Sequence, residues 1–448
     1  MTTERPAEVS DATRRELAAF PDELERQDDR IGTLYAFRYR NYRLLWAGDV
    51  FTAAAQWIQQ TAVTWVVYAL TGSGSLTGTI GLMRAVPILL LSPVAGTTSD
   101  RVSRNRIISV SQMIMAVLTL IIAFDLLAGT MQIWHLFVFT LLVSSAQTFN
   151  MPARQTFVFD LVPRRVIPNA VALSWLAFSF ARAFGVIGGG LLIASFGPAN
   201  NFFIQAGAYL IVMTTVLGIR GQKEPEVRER KPFFTAMREG YAFVAQSPQA
   251  RVSLMLSVIS PALLIPLHGV LLPIFAKHIF HDDSGAIFGL LAGSIGIGGL
   301  FGGVLTAALN QIERRGLLQL VALLLMAGAE LTFCVVAVMT EQLWLAVPFL
   351  VIAGVAESLY TTTNTTVLQL VAPERFRGSM AALLQLSFLI MPIGGVIAGT
   401  AADHFGAPAV GMVFTGAAFA WALTILLLSP RMRTLRLSDL TREREQAE

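Results

Sequence analysis

This chain of 448 residues has a single cysteine, Cys334, and little charge: Asp, Glu, Lys and Arg together make up 14%. One thiol can form neither an internal disulfide nor a cysteine-based metal centre. A soluble domain carries nearer a quarter charged residues, so water alone does not suit this chain. No Walker-type glycine-rich phosphate loop occurs, which removes ATP as the energy source. There is no cysteine nucleophile, no cluster of histidine ligands and no Ser-His-Asp pattern, so no enzyme and no cofactor are expected. The first 30 residues run mixed-charge, from Arg14-Arg15-Glu16 to Asp28-Asp29-Arg30, without the apolar core of a cleaved signal peptide.

What fills the chain instead is apolar: 54% hydrophobic residues and a mean hydropathy of +0.61. The runs are about 20 residues or more, the length that crosses a hydrocarbon layer as a helix. They lack two-residue alternation, and in lipid a helix satisfies its own backbone. Twelve spans follow, at about 43–70, 75–98, 105–128, 132–153, 167–195 and 200–219, then 251–277, 285–309, 316–339, 343–367, 378–402 and 407–429. With both termini cytoplasmic, 30 of the 33 Lys and Arg fall in cytoplasmic segments, as the positive-inside rule requires. The basic residues punctuate the apolar runs instead of forming a nucleic-acid face. The expected organisation is a tail at 1–42, a six-helix bundle at 43–219, a cytoplasmic linker at 220–250, a second bundle at 251–430 and a tail at 431–448. Neither tail is assigned an activity.

A constant offset of 210 residues relates the bundles. It carries Trp134 onto Trp344, Pro163 onto Pro373, Arg165 onto Arg375, Gly185 and Gly189 onto Gly395 and Gly399, and Arg104 onto Arg314. Parallel six-helix repeats with a substrate path between them are a transporter architecture.

The loop after helix 2 reads GTTSDRVSRNR, with Gly96, Asp100, Arg101, Arg104 and Arg106. A carboxylate beside arginines at a helix end can pair with them or with a helix N-terminus, and so latch one conformation. A topogenic basic loop explains the arginines alone. The loop resembles the signature of the major facilitator superfamily, which implies an all-α membrane fold of two pseudo-symmetric six-helix bundles and a gating role. Helix 5 carries Gly185, Gly188, Gly189 and Gly190, and small residues four apart allow close backbone approach. It is similar to the glycine motif of drug/proton antiporters, with Val186 where that motif has proline. Helix 5 should meet the other half there, although ordinary packing also explains the glycines. FRYRNYRLLWAGD, Arg84 with Pro87, NMPARQTFVFDLVPRRVIPNAVAL and Arg182 resemble the bacterial siderophore and macrolide exporters. The superfamily's helix-4 arginine motif has no counterpart, since helix 4, read as 132–153, contains no Arg before Arg154.

Ionisable groups inside spans are costly and face a cavity or a partner. The candidates are Asp49, Arg84, Arg182, His268, Glu330 and Glu357. By the resemblance, helices 1, 4, 7 and 10 line the path, which makes Asp49, His268 and Glu357 proton-coupling candidates. Arg182 keeps its proton and needs an anion: Asp49, Glu357 or a substrate. Arg84 is a second central cation. Glu330 belongs to a peripheral helix and reads as structural or packed against helix 8. His278, His281, Asp282 and Asp283 have a spacing that could bind a metal, though a solvated loop explains them better and no metal is assigned. Trp57, Met83, Phe149 and Tyr360 could form an apolar substrate wall, or face lipid or a neighbouring helix.

The expectation is a monomeric multi-pass transporter in a bacterial inner membrane that exports a small amphipathic molecule by alternating access with proton antiport. Its partners are that substrate, protons and membrane lipids. An importer or lysophospholipid flippase of the same fold is one alternative, and a non-transporting membrane sensor another.

Overall fold

The computed structural model describes residues 32–99, 101–219, 238, 240–242, 244–245, 247–309, 312–372 and 374–436. These are helical almost throughout, with no strand among them. The helices are α1 (Arg40–Thr71), α2 (Gly74–Ser99), α3 (Arg104–Ala128), α4 (Ile133–Leu161), a continuous run Ile167–Leu217, α7 (Ala250–His278), α8 (Ala286–Ala308), α9 (Arg315–Thr340), α10 (Leu343–Val371), α11 (Glu374–Phe405) and α12 (Ala407–Leu428). The run Ile167–Leu217 is two helices: Gly197 sits at φ +80° and Pro198 follows it. A left-handed glycine before a proline breaks the hydrogen-bond ladder, which separates α5 (167–196) from α6 (198–217).

Nine helices among the described residues are long and apolar enough to cross a membrane, the α5–α6 run counted as one. Its break makes ten. Arg40–Thr71 is long but more polar, and Leu389–Phe405 within α11 is a shorter apolar stretch; with these the twelve expected spans are accounted for. Most of the expected linker at 220–250, and Asp100 of the basic loop, lie outside the described residues.

Helix ends follow from their sequences. Gly72 (φ +63°) and Gly129 (φ +70°) close α1 and α3 in the left-handed conformation that ends helices. Asp282 caps α8: its Oδ2 accepts from the backbone N–H of Ile287 at 2.8 Å and Phe288 at 3.1 Å, and its Oδ1 from Ser284 and Gly285. Only 4% of Asp282 is exposed. It is therefore a buried cap and not part of a solvated loop. Within α7, Pro261, Pro266 and Pro273 lack the N–H that a regular turn needs, and two wide π turns, Ser260–Leu264 and Leu267–Leu271, absorb the mismatch.

Among the described residues the two halves share an apolar core at one end only. At the face away from the termini, Trp65, Tyr68 and Phe202 of the first half join Phe275, Phe288 and Phe333 of the second in one cluster. Toward the termini face each half has its own: Tyr42, Ile108, Phe157 and Val216 in the first, Leu256, Leu323, Tyr360 and Val367 in the second. The halves thus meet at the far face and part toward the termini.

Glycine sets the closest helix approaches. A Cβ on Gly298 of α8 would strike the carbonyl oxygen of Val351 of α10, whereas Gly303 on the same helix faces open space. Gly298→Val should therefore cost about 1–3 kcal/mol by overpacking, while Gly303→Ala should stay within about 0.5 kcal/mol of the parent. Thermal unfolding of the detergent-purified variants measures the difference.

Candidate functional site

Where the halves part, a cavity of about 550 Å³ opens between them. Trp57, Gln60 and Thr64 of α1 and Arg182 of α5 form one wall; His268 of α7, Phe288 of α8 and Glu357 and Tyr360 of α10 form the other. Its surface is mainly apolar, with a few polar groups that converge, the usual composition of a small-molecule site.

One ion pair crosses the cavity. Arg182 Nη2 donates to both oxygens of Glu357, at 3.0 and 2.9 Å. Glu357 is only 7% exposed. The Arg182 guanidinium also lies 5.5 Å from the centre of the Trp57 ring, within cation–π range. Of the anions open to Arg182 from sequence, Glu357 is the one in contact. The pair joins a helix of the first half to a helix of the second.

His268, in the same wall, belongs to a second pair. His268 Nε2 and Glu330 Oε1 are 2.8 Å apart, so one proton is shared between a ring nitrogen and a carboxylate oxygen. Glu330 is fully buried, and its Oε2 has no hydrogen-bond partner among the described residues. Of the two readings of Glu330, structural or packed against helix 8, the second is corrected: α9 delivers it to α7 behind the cavity. The π turn Leu267–Leu271 places His268 toward it. Nothing in the spacing of 62 residues signals that contact.

Asp49 is elsewhere. Its Oδ1 accepts from Arg154 Nε at 2.7 Å and from Arg154 Nη2, while Arg154 Nη1 donates to Thr52 at 2.6 Å. Gln112 of α3 closes the cluster through Thr52. Asp49 is therefore held inside the first half, and is not among the residues lining the central cavity. The contact also corrects the reading of helix 4: α4 continues to Leu161, so Arg154 is a helix residue that points inward. The sequence carried the signal, since the apolar pattern of FVFDLV continues past Arg154 and stops only at Pro163.

Of the proposed substrate wall, Trp57 and Tyr360 line the cavity, and the Tyr360 hydroxyl is tied down by donation to the Leu256 carbonyl at 2.5 Å. Phe149 packs instead into the first half's own core, and Met83 lines neither cavity. Arg84 lines a second, smaller cavity next to the first. Gly185 and Gly189 approach Trp57, Ile58 and Thr61 of α1, within the same half. Contact with the other half falls to Gly190, where a Cβ would lie 2.5 Å from the Cα of Gly289 in α8. In the basic loop Arg104 pairs with Asp160 at the end of α4, and Arg101 and Arg106 are exposed. Gly96 lies in the last turn of α2.

The far face is closed by polar latches that sequence did not reveal. Asp403 of α11 caps α2 across the interface, accepting from the Gly74 N–H at 2.5 Å, the Ser75 N–H at 3.0 Å and the Ser73 hydroxyl at 2.9 Å. Tyr68 and His278 join the halves at 2.8 Å, which occupies one of the supposed metal ligands. Among the described residues no three His, Cys, Asp or Glu gather as a metal site.

Removing one member of a buried ion pair strands the other, at about 3–5 kcal/mol where both are fully buried. Arg182 is partly exposed, so Arg182→Leu should cost less than that, and Arg182→Leu with Glu357→Leu should regain most of the loss. Melting temperatures of the single and double variants measure this.

Residues 31–446 match the family described as transmembrane secretion effector. The chain is 24% identical over 401 residues to the multidrug efflux pump Tap of Mycolicibacterium fortuitum, covering 86% of this chain and 95% of that protein. It is 22% identical over 376 residues to macrolide efflux protein A of Streptococcus pyogenes, covering 82% and 92%. It is 20% identical over 355 residues to the staphyloferrin A transporter of Staphylococcus aureus, covering 78% and 86%. Among solved structures, a bacterial homologue of the human lysosomal transporter Spinster, inward-facing and unoccupied, aligns with a TM-score of 0.66 at 17% identity over 91% of this chain and 98% of that one. The nucleoside transporter NupG aligns at 0.67 with 13% identity, over 87% and 99%.

Proposed function

This chain belongs to the transmembrane secretion effector family of the major facilitator superfamily, and we propose that it exports small amphipathic compounds by alternating access in exchange for protons. It is a multi-pass membrane transporter with the all-α, two-bundle fold of that superfamily, and not an enzyme. The efflux pumps among its relatives support the direction, and the mainly apolar cavity supports an amphipathic cargo.

The observation that carries the coupling is the Arg182–Glu357 pair, which bridges the halves through the cavity. With the termini in the cytoplasm of a bacterial cell, the cavity loads from the inside while the far latches hold. A proton reaching Glu357 cancels its charge, releases Arg182 from the opposite half and changes what holds the halves together. Loss of that proton to the cytoplasm restores the bridge. The His268–Glu330 pair lies within electrostatic reach of Glu357 and offers a second proton-holding position, with His268 in the cavity wall and Glu330 behind it. The Asp49–Arg154 cluster lies within one half, where protonation does not alter the bridge, so coupling is assigned to Glu357 ahead of Asp49. One copy contains the whole path, and the transporting unit is proposed to be the monomer.

In sealed proteoliposomes with an internal pH dye and an imposed proton gradient, ethidium, erythromycin and a catecholate siderophore would be added in turn. We expect proton leak with one of these classes, reduced to background in Glu357→Gln. Leak that survives in Glu357→Gln would remove Glu357 from the coupling path, and absence of leak with every class would overturn proton antiport.

A further inference from the structure

Of the six ionisable residues singled out within the spans, five have an ion-pair partner and Arg84 has none among the described residues; the Tyr209 hydroxyl is its electrostatic neighbour. It sits ten residues into α2, about 15 Å from the far end at 1.5 Å per residue, near the middle of a hydrocarbon layer about 30 Å thick. No described carboxylate lies within ion-pair distance of it, and no hydrogen bond from it occurs among the described residues. It lines a cavity of about 250 Å³ between α1, α2, α7 and α11. An arginine keeps its charge and offers five N–H donors, so burial without an anion is costly.

The surroundings are those of a binding site. Gln60 lines both cavities, and its side chain makes no hydrogen bond among the described residues. Its amide supplies a neutral donor beside the guanidinium. Gly78 and Gly81 keep the α2 wall low, and Ile80, Val270 and Leu389 make the remainder apolar. Ile88, one turn beyond Arg84 in the same wall, is 46% exposed, so the cavity is open at that end. Gln60, Thr64, Ile265, Gly269 and Met391 also line the central cavity, which makes the two spaces neighbours sharing a wall.

We propose that the Arg84 cavity is an anion subsite, which takes the carboxylate, sulfonate or phosphate of an amphipathic molecule whose apolar body lies against α2 and α11. It deepens the transport reading and rests on it only for what lies next door: a molecule held at Arg84 presents its other end to the central cavity past Gln60 and Thr64. Two sources have this chemistry, a free anionic amphiphile or a lipid with an anionic headgroup.

The full chain in phosphatidylcholine nanodiscs would be titrated calorimetrically with 2-naphthoate and with its neutral counterpart 2-naphthalenemethanol. In a second arm, nanodiscs containing a minor fraction of phosphatidylglycerol would be examined by native mass spectrometry for retained anionic lipid. Both arms compare the parent with Arg84→Gln and Arg84→Lys. A charge-assisted contact predicts that Arg84→Gln binds the anion about tenfold or more weakly, that Arg84→Lys recovers part of this, and that the alcohol is unaffected. Dependence in the first arm identifies a free anion, and dependence in the second a lipid headgroup. If Arg84→Gln does not elute as a folded monodisperse species, Gln60→Leu should weaken the same anion and spare the alcohol. Anion binding equal in parent and variants in both arms overturns the proposal. The measurement needs neither a gradient nor Glu357, so its failure leaves proton coupling untouched, and failure of proton coupling leaves this result standing.

Discussion

A charge in hydrocarbon must be neutralised within reach of its own side chain, and the helix arrangement follows from that requirement. Asp49 draws α4 toward α1 through Arg154, Glu330 holds α9 to α7 through His268, and Glu357 binds α10 to α5 through Arg182. Each contact sets the rotation of two helices about their axes as well as their spacing, because a carboxylate turned toward lipid would lose its partner. The first two pairs operate inside a half and make it rigid. The third operates between halves, and is the one whose strength can depend on which state the transporter occupies. Two bodies, each braced by its own internal ion pair and tied to the other by a third, are an arrangement in which one half can move against its partner.

Much of the fold is legible in the sequence, because the signals are long and repeated: apolar runs of membrane length, arginines and lysines confined to one side, and an offset of 210 residues that recurs at separated places. The site was legible in its residue types but not in its pairings. Arg182, Glu357 and His268 stand out as charges in apolar runs, and all three line the cavity. Which anion meets Arg182 depends on helix rotation and on how far apart the halves stand, which no local pattern records. Arg154 was hidden by a boundary, since ending helix 4 at 153, eight residues before Leu161, turned an inward-facing cation into a loop residue. Asp403 was hidden because a helix cap across an interface has no signature beyond an ordinary helix-end residue, and the His278 contact because its partner, Tyr68, lies 210 residues away.

The repeat is followed in the backbone and abandoned in the chemistry. Gly185 and Gly189 correspond to Gly395 and Gly399, yet the first pair packs against a helix of its own half and the second against α2 of the other. Sequence symmetry therefore locates a small-residue stripe but does not say which neighbour uses it. The ionisable residues show no such correspondence: the first half supplies the cations of the central region, Arg84 and Arg182, and the second supplies His268, Glu330 and Glu357. Duplication accounts for the scaffold, and its loss of symmetry for the site.

The far-side seam has a kinetic consequence. Where α2 meets α11 and α5 meets α8, the surfaces in contact are largely bare backbone: Gly74 against Gly399, Gly78 against Gly395, Gly190 against Gly289. Interlocked leucines or phenylalanines would have to leave their sockets and change rotamer before two helices could separate, and each such step adds to the activation barrier. A seam of glycines has no such teeth. Along these glycine contacts the helices can slide or part without changing rotamers, so the side-chain repacking that opening requires is concentrated where Trp65 stacks on Phe288 and in the polar ties at the rim.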